Sequence, residues 1–490
     1  MRFLLDTNIL IPLEDSSHVL EESLANFVRI AHEHGHVLVY HPASEDDFKR
    51  DSNAERLKRN FERIKQYTRL DGRPPCPWNH STISPNDAVD NEILFALSCE
   101  AAHILVSEDK GVHEKAKSRS LSDRVYTIQT AEDWLRRLHE KKNVQLPNIE
   151  NVFLHELTPY LETDFFQSLR EDYDFDNWFR DKARDGRKAW VYKQFGKLGA
   201  ICIYTQQNDE RITDEGMILH GSALKLCTFK VSEGMQGRKI GELFLKAAFL
   251  YASQNRLENI FIHGDRKKQY FLFNMLNDFG FIYVGTHPGS DGRDDVYCKS
   301  HPLTAPDAER LDAFEYARRY FPHFKRDSNI HKYIVPIQPK YHEVLFPDYM
   351  VSYQKQLNLF QTENSTGNAI KLAYLCHAKT KHINPGDIIF FYRSKDQRAI
   401  TSIGVVEKYD THTDADAIAR EVKRRTVYSM TEIKEMAEKP TRVLLFRLIR
   451  HFNPPLQQSF LEENMFLNGA PQSITKISHD AFERIMDCGQ

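Results

Sequence analysis

Short apolar runs that end abruptly in polar residues mark the first 130 positions. Phe3–Leu5 stops at Asp6, Val37–Tyr40 at His41-Pro42, and Ile104–Val106 at Ser107-Glu108-Asp109. Runs this short and continuous are the pattern of strands buried on both faces. Between them Asn86–Leu97 places Ile93, Leu94 and Leu97 on one helical face, with Pro85 and Asn86 as the start signal. Arg124–Ile128 predicts a last strand, followed by a helix through Trp134 and Leu138. This alternation predicts an α/β unit on a parallel sheet over 1–140, and the charged stretch 140–147, ending in proline, reads as a linker.

From 150 to 302 the pattern changes to α+β. A helix begins at Asp164, strands at Lys188–Tyr192 and Leu198–Tyr204 pair across a glycine turn, and Leu224–Val231 is a longer strand. It runs through a glycine-rich loop into an amphipathic helix ending near Ala248. Asn259–His263 is the next strand and Phe271–Phe279 the next helix. A helical connector covers 303–330. Short strands at Tyr333–Ile337, Ile370–Tyr374, Gly386–Tyr392, Ala399–Val406 and Arg442–Phe446 then predict a small barrel-like β unit over 331–490.

Candidate chemistry lies where the buried strands end. An unpaired carboxylate closing a buried strand needs compensation, and Asp6 is one. Asp87 and Asp90, three apart, share one side of the first helical turns, and Glu108 and Asp109 follow a second strand. In a parallel α/β sheet these ends converge on one crevice. Several carboxylates held together repel unless a hard divalent cation lies between them, which implies Mg²⁺ or Mn²⁺. Glu45, Asp46 and Asp47 follow the second strand.

These positions resemble the PIN domain nucleases, the family that includes the VapC toxins. The resemblance implies catalytic roles for Asp6, Asp47, Asp90 and Asp109, with Asp6, Asp87, Asp90 and Asp109 around the metal. The loop Gln236-Gly-Arg-Lys-Ile-Gly241 resembles the pyrophosphate loop of GNAT acetyltransferases. It implies acetyl-CoA or CoA contacts from Gln236, Gly237, Arg238, Lys239 and Gly241. Lys239 replaces a glycine of that pattern, and Leu276 stands where the family often has a tyrosine acid. The Pro385-Gly386 turn with its strand, and Gly469–Thr475 before a final helix, resemble PUA-like domains of the ASCH and EVE type, which implies RNA or modified-base binding.

Composition narrows the partners. With 66 Lys+Arg against 69 Asp+Glu there is no global basic field, so nucleic-acid contacts must be local. The candidates are Arg56 and Arg59 on a basic helix, then Tyr392, Arg393, Arg424 and Arg425. Seven scattered cysteines without a C-x-x-C pair argue against zinc or a disulfide framework and fit a reducing cytoplasm. No apolar run approaches a membrane span. The expectation is a cytoplasmic, metal-dependent endoribonuclease of toxin or defence type, acting on RNA such as tRNA, with a cognate antitoxin and homo-oligomers among its expected partners. The alternatives are an N-acetyltransferase acting on a protein or an aminoacyl-tRNA, and a non-catalytic RNA-binding scaffold.

Overall fold

The computed structural model describes residues 1–10, 18–50, 52–81, 84–140, 149–171, 173–232, 235, 239–349, 369–425, 427–467 and 469–489. The first sheet contains β1 (Arg2–Leu5), β2 (Val37–Tyr40), β3 (Thr68–Arg69), β4 (Ile104–Val106) and β5 (Val125–Tyr126). Its order is β3-β2-β1-β4-β5 and every pairing is parallel. Phe3 and Leu5 enter one core with Phe27 and Trp134, while Leu4 enters the other with Ile93 and Leu94. Burial on both faces is why β1 has no polar alternation. β3 is only two residues long and both are exposed, so no apolar run announces it.

The second sheet holds β6 (Ile149–Phe153), β7 (Lys188–Gln194), β8 (Lys197–Arg211), β9 (Ile218–Val231), β10 (Asn259–Asp265), β11 (Ile282–Thr286) and β12 (Asp294–Ser300), in the order β11-β12-β10-β9-β8-β7-β6. Among the described residues β9 and β10 form the parallel pair of this sheet, over four positions, Ala223–Leu226 against Asn259–Ile262. Beyond that point β9 continues to Val231 and β10 to Asp265 without pairing to each other. The helix Ile240–Gln254 packs over this sheet.

The third sheet comprises β13 (Lys332–Ile337), β14 (Lys371–Cys376), β15 (Ile388–Arg393), β16 (Ala399–His412), β17 (Thr441–Gln457) and β18 (Thr475–Ile477). The order is β14-β17-β16-β15-β13-β18, an open ladder among the described residues where a small barrel was expected. β16 and β17 are long and shift register three times, at Ile400/Ser402, Ile403/Gly404 and Val406/Lys408. Such bulges bend a sheet without closing it.

The connector helix, Ala313–Arg319, is shorter than 303–330 suggests. It is fixed from both sides. Fully buried Lys299 donates from Nζ to the Arg319 carbonyl at 2.6 Å, and burial holds its pKa well below the usual lysine value. Gly280 lies at φ +85°, where a Cβ would come within 2.5 Å of the Arg318 carbonyl oxygen.

The three units touch one another. One apolar cluster runs from the first unit, through Leu138, into the third, through Met430 and Ile433. Lys110 Nζ donates to the Lys267 carbonyl at 2.8 Å, joining the first unit to the second. Lys246 pairs with Asp348 at 3.0 Å, joining the second to the third. Among the described residues no helix is long and apolar enough to cross a membrane.

Candidate functional site

In the first sheet the chain winds outward from β1 through β2 and β3, then outward on the other side through β4 and β5. The strand order therefore reverses between β1 and β4, and a crevice opens at their C-terminal ends. Asp6 follows β1 into that crevice and is 3 % exposed. Its Oδ2 accepts from Ser107 Oγ at 2.6 Å and Asn8 Nδ2 at 2.8 Å, and its Oδ1 from the Thr7 amide at 2.7 Å. Even with these donors its pKa is pushed up to about 7, mainly by burial, with Asp90 and Asp109 adding repulsion.

Three other acids face the same place. Thr7 Oγ1 donates to Asp47 Oδ2 at 3.0 Å, which brings Asp47 beside Asp6. Its neighbours on the helix Ala43–Lys49 turn elsewhere, Glu45 to Arg69 at 2.7 Å and Asp46 to Arg73. Asp109 caps the helix Lys110–Ser118 through the Gly111 amide at 2.7 Å, and its own amide binds Ser107 Oγ at 3.1 Å. Asp90, on the helix Pro85–Ser98, is raised by burial, with Asp109 and Asp87 adding to the rise. Burial raises Asp47 as well.

Lys115 is the neighbour that sequence reasoning missed. Its Nζ lies 2.6 Å from Asp87 Oδ1 and 2.7 Å from Asp90 Oδ2, and it holds Asp87 below the usual carboxylate range. An ammonium thus sits on oxygens that sequence reasoning assigned to a metal. Among the described residues, the trio of potential ligands within 4.8 Å of one another is Asp410, His412 and Glu421, away from these acids. The donor chemistry of the acids is of the kind a hard divalent cation takes. It is all oxygen, burial raises Asp6, Asp47 and Asp90, and Asp47 Oδ1 is buried without a hydrogen bond, with the Arg50 guanidinium 3.0 Å away. If the lysine competes for these oxygens, Lys115→Met should tighten Mn²⁺ binding about tenfold. Calorimetric titration with Mn²⁺ checks this, and unchanged or weaker binding would remove Lys115 from the centre.

Arg56 and Arg59 lie on the helix Ala54–Ile64, capped by Asn53 and packed beside the helices Thr7–Leu10 and Ala43–Lys49. Arg59 is exposed and Arg56 half-buried.

In the second unit Gln236, Gly237 and Arg238 lie outside the described residues. Lys239 precedes the helix Ile240–Gln254 at φ +60°, and Gly241 sits where a Cβ would be 3.1 Å from the Met275 side chain. Lys239 Nζ donates to the Lys371 carbonyl at 3.1 Å, and Glu242 Oε1 accepts from the Lys371 amide at 2.7 Å. β14 of the third unit therefore abuts the start of this helix. Leu276 is fully buried.

In the third unit two expected contacts are corrected. Tyr392 is 1 % exposed and its hydroxyl donates to Gln458 at 2.8 Å. Arg393 is buried between Asp396 and Glu343. Both are interior because β15 is buried along its whole length. The Arg424 side chain lies outside the described residues. Arg425 points into the junction with the second unit, where its Nη2 pairs with Glu407 at 2.6 Å. There Lys371, Arg425 and Arg447 face Asp278 and Glu407, and these cations hold both carboxylates down to about 2.

Comparison with known proteins gives a family match in the C-terminal part. No curated protein matches the chain. A crystal structure of ASCH from Zymomonas mobilis is 12 % identical, covering 32 % of this chain and 96 % of that one, at TM-score 0.25. Ard1 from Thermoplasma volcanium is 12 % identical, over 31 % and 97 %, at 0.25. A GNAT-family acetyltransferase from Streptococcus agalactiae 2603 is 18 % identical, over 32 % and 98 %, at 0.24. Residues 371–488 match the EVE domain family, which covers β14 through the last helix, His479–Cys488, but not β13.

Proposed function

We propose that this chain is a metal-dependent endoribonuclease that hydrolyses RNA phosphodiesters at the crevice between β1 and β4. The observation that carries the reading is the buried Asp6, pushed up to about 7 while Asp90 and Asp109 press on it from across the crevice. A structural role alone would favour a residue without that electrostatic cost. The resemblance of the same positions to PIN nucleases supports it, and the EVE match supports RNA as the partner.

Asp6, Asp90 and Asp109 would hold Mg²⁺ or Mn²⁺, with Asp47 joining them through the Thr7 side. Such an ion, when bound, supplies an activated water and shields charge on the scissile phosphate. Ser107, Asn8 and the Thr7 amide fix the orientation of Asp6. Arg56 and Arg59 offer phosphate contacts beside the crevice. Cleavage of total RNA with Mn²⁺ tests the reading: wild type should yield discrete products, and Asp6→Asn should lower the rate at least about 100-fold. Equal behaviour of the two proteins would sink it.

A second reading, transfer of acetyl from CoA to an amine, is favoured by the divergence of β9 from β10 ahead of the helix Ile240–Gln254. The contacts of Lys239 and Glu242 with Lys371 weigh against it.

A further inference from the structure

We propose that the cavity where the three units meet binds a segment of single-stranded RNA and holds it next to the carboxylate crevice. The inference rests on the endoribonuclease reading for the identity of the polymer. The cavity measures 1790 Å³, well beyond the roughly 300–1000 Å³ of ordinary small-molecule sites. Its described lining carries nine lysines and arginines against six carboxylates, in a chain where acids outnumber bases overall.

The cations come from all three units. Lys110 and Lys117 belong to the helix that Asp109 caps, Lys230 and Lys268 to the second unit, Lys371 and Arg425 to the third. Although Lys371 and Arg425 are already paired with Asp278 and Glu407, cations drawn from several elements suit the repeated charges of a backbone. Aromatic rings lie among them. Phe165, Phe229 and Phe271 line the cavity, and Phe271 is 41 % exposed, with T-shaped contacts to His113 and Tyr270. Cations along a groove with interleaved rings are how proteins hold single strands without reading sequence. Arg425 Nη1 is buried with no hydrogen-bond partner while Nη2 is tied to Glu407. Lys110 follows directly on Asp109, so a strand in the cavity leads towards the acids.

A compact phosphate ligand at the start of the helix Ile240–Gln254 fits less well. The Glu242 carboxylate stands in its first turn, and the chain's own Lys371 engages both Glu242 and Lys239.

The test is fluorescence anisotropy of a labelled single-stranded RNA of about twelve nucleotides, with the full chain in EDTA so that no cutting occurs. The double variant Lys230→Gln/Lys268→Glu should bind at least about tenfold more weakly, with a salt dependence shallower by about two phosphates. Lys117→Gln is a second, independent variant expected to weaken binding. Lys182→Glu, outside the cavity, should bind as wild type does. Unchanged affinity in both cavity variants overturns the proposal, as does wild type that binds coenzyme A but no RNA. If the variants bind normally and wild type still cuts RNA with Mn²⁺, this inference fails and the nuclease reading stands. If RNA binding depends on these lysines and no cutting occurs, the nuclease reading fails and the cavity assignment stands.

Discussion

Asp6→Asn is expected to melt at a higher temperature than wild type at pH 8 in EDTA, and with Mn²⁺ to cut RNA at least about 100-fold more slowly. An acid whose folded-state pKa is raised binds its proton more tightly in the native chain than in the unfolded one. Between the ordinary value of 3.8 and about 7 the native state therefore holds more protons, and stability falls as pH rises through that window. Above pH 7 the full penalty is present, about 4 kcal/mol from a shift of this size. Asp47 and Asp90 are raised by burial too and add in the same direction. Asparagine retains the shape and can still accept from Ser107, but it carries no charge to bury. The variant's melting temperature should thus be flatter than wild type's between pH 4 and 7. Mn²⁺ should reverse the order at pH 8, because a cation among the acids stabilises wild type more. Melting curves at pH 5 and pH 8, with EDTA and with Mn²⁺, give all four values. A wild type whose stability does not fall across that pH range would mean that Asp6 is not a strained carboxylate, and the metal reading would lose its main support.

The acids could be found in the sequence because each ends or follows an element with a strong local signature. Asp6 and Asp109 close apolar runs, and Asp90 lies in a helix with clear start signals. Asp47 is the residue the sequence favours, but what separates it from Glu45 and Asp46 is that Arg69 and Arg73 capture those two from 24 and 27 residues away, which no local pattern shows. Lys115 was invisible for the same reason: it reaches Asp90 across 25 residues. Tyr392 and Arg393 read as ligand contacts because an aromatic and a cation end a strand. Glu343, 50 residues earlier, and Asp396 make Arg393 an interior residue instead. The barrel expectation had a similar origin. Short strands with tight turns predict sheet but not closure, and the bulges of β16 and β17 that decide the curvature carry no local sequence mark.

Glu407→Gln should cost roughly 3 to 5 kcal/mol of stability at pH 7, the range for removing one partner from a buried ionic group. Glu407 is the carboxylate that faces Arg425 at 2.6 Å and Arg447 Nε at 3.5 Å, and its side chain is 19 % exposed. Glutamine can still accept one hydrogen bond, yet Lys371, Arg425 and Arg447 would keep their charges with only Asp278 and the more distant Glu242 among the described carboxylates to balance them. The pH dependence has the opposite sign to that of Asp6. Here the folded-state pKa is lowered from 4.5 to about 2, so the stabilisation is complete above 4.5 and is lost as pH falls through that window. Urea unfolding at pH 7 and pH 3 should show a large difference between variant and wild type at the first and a much smaller one at the second. The double variant Glu407→Met/Arg425→Leu removes one charge of each sign and should recover most of the loss, since a buried pair replaced by apolar groups is often neutral. Recovery would establish that the penalty lies in an uncompensated cation. A double variant as unstable as the single one would instead assign the loss to packing between β16 and the loop carrying Arg425. In that case the positive charge at the junction is incidental to the fold.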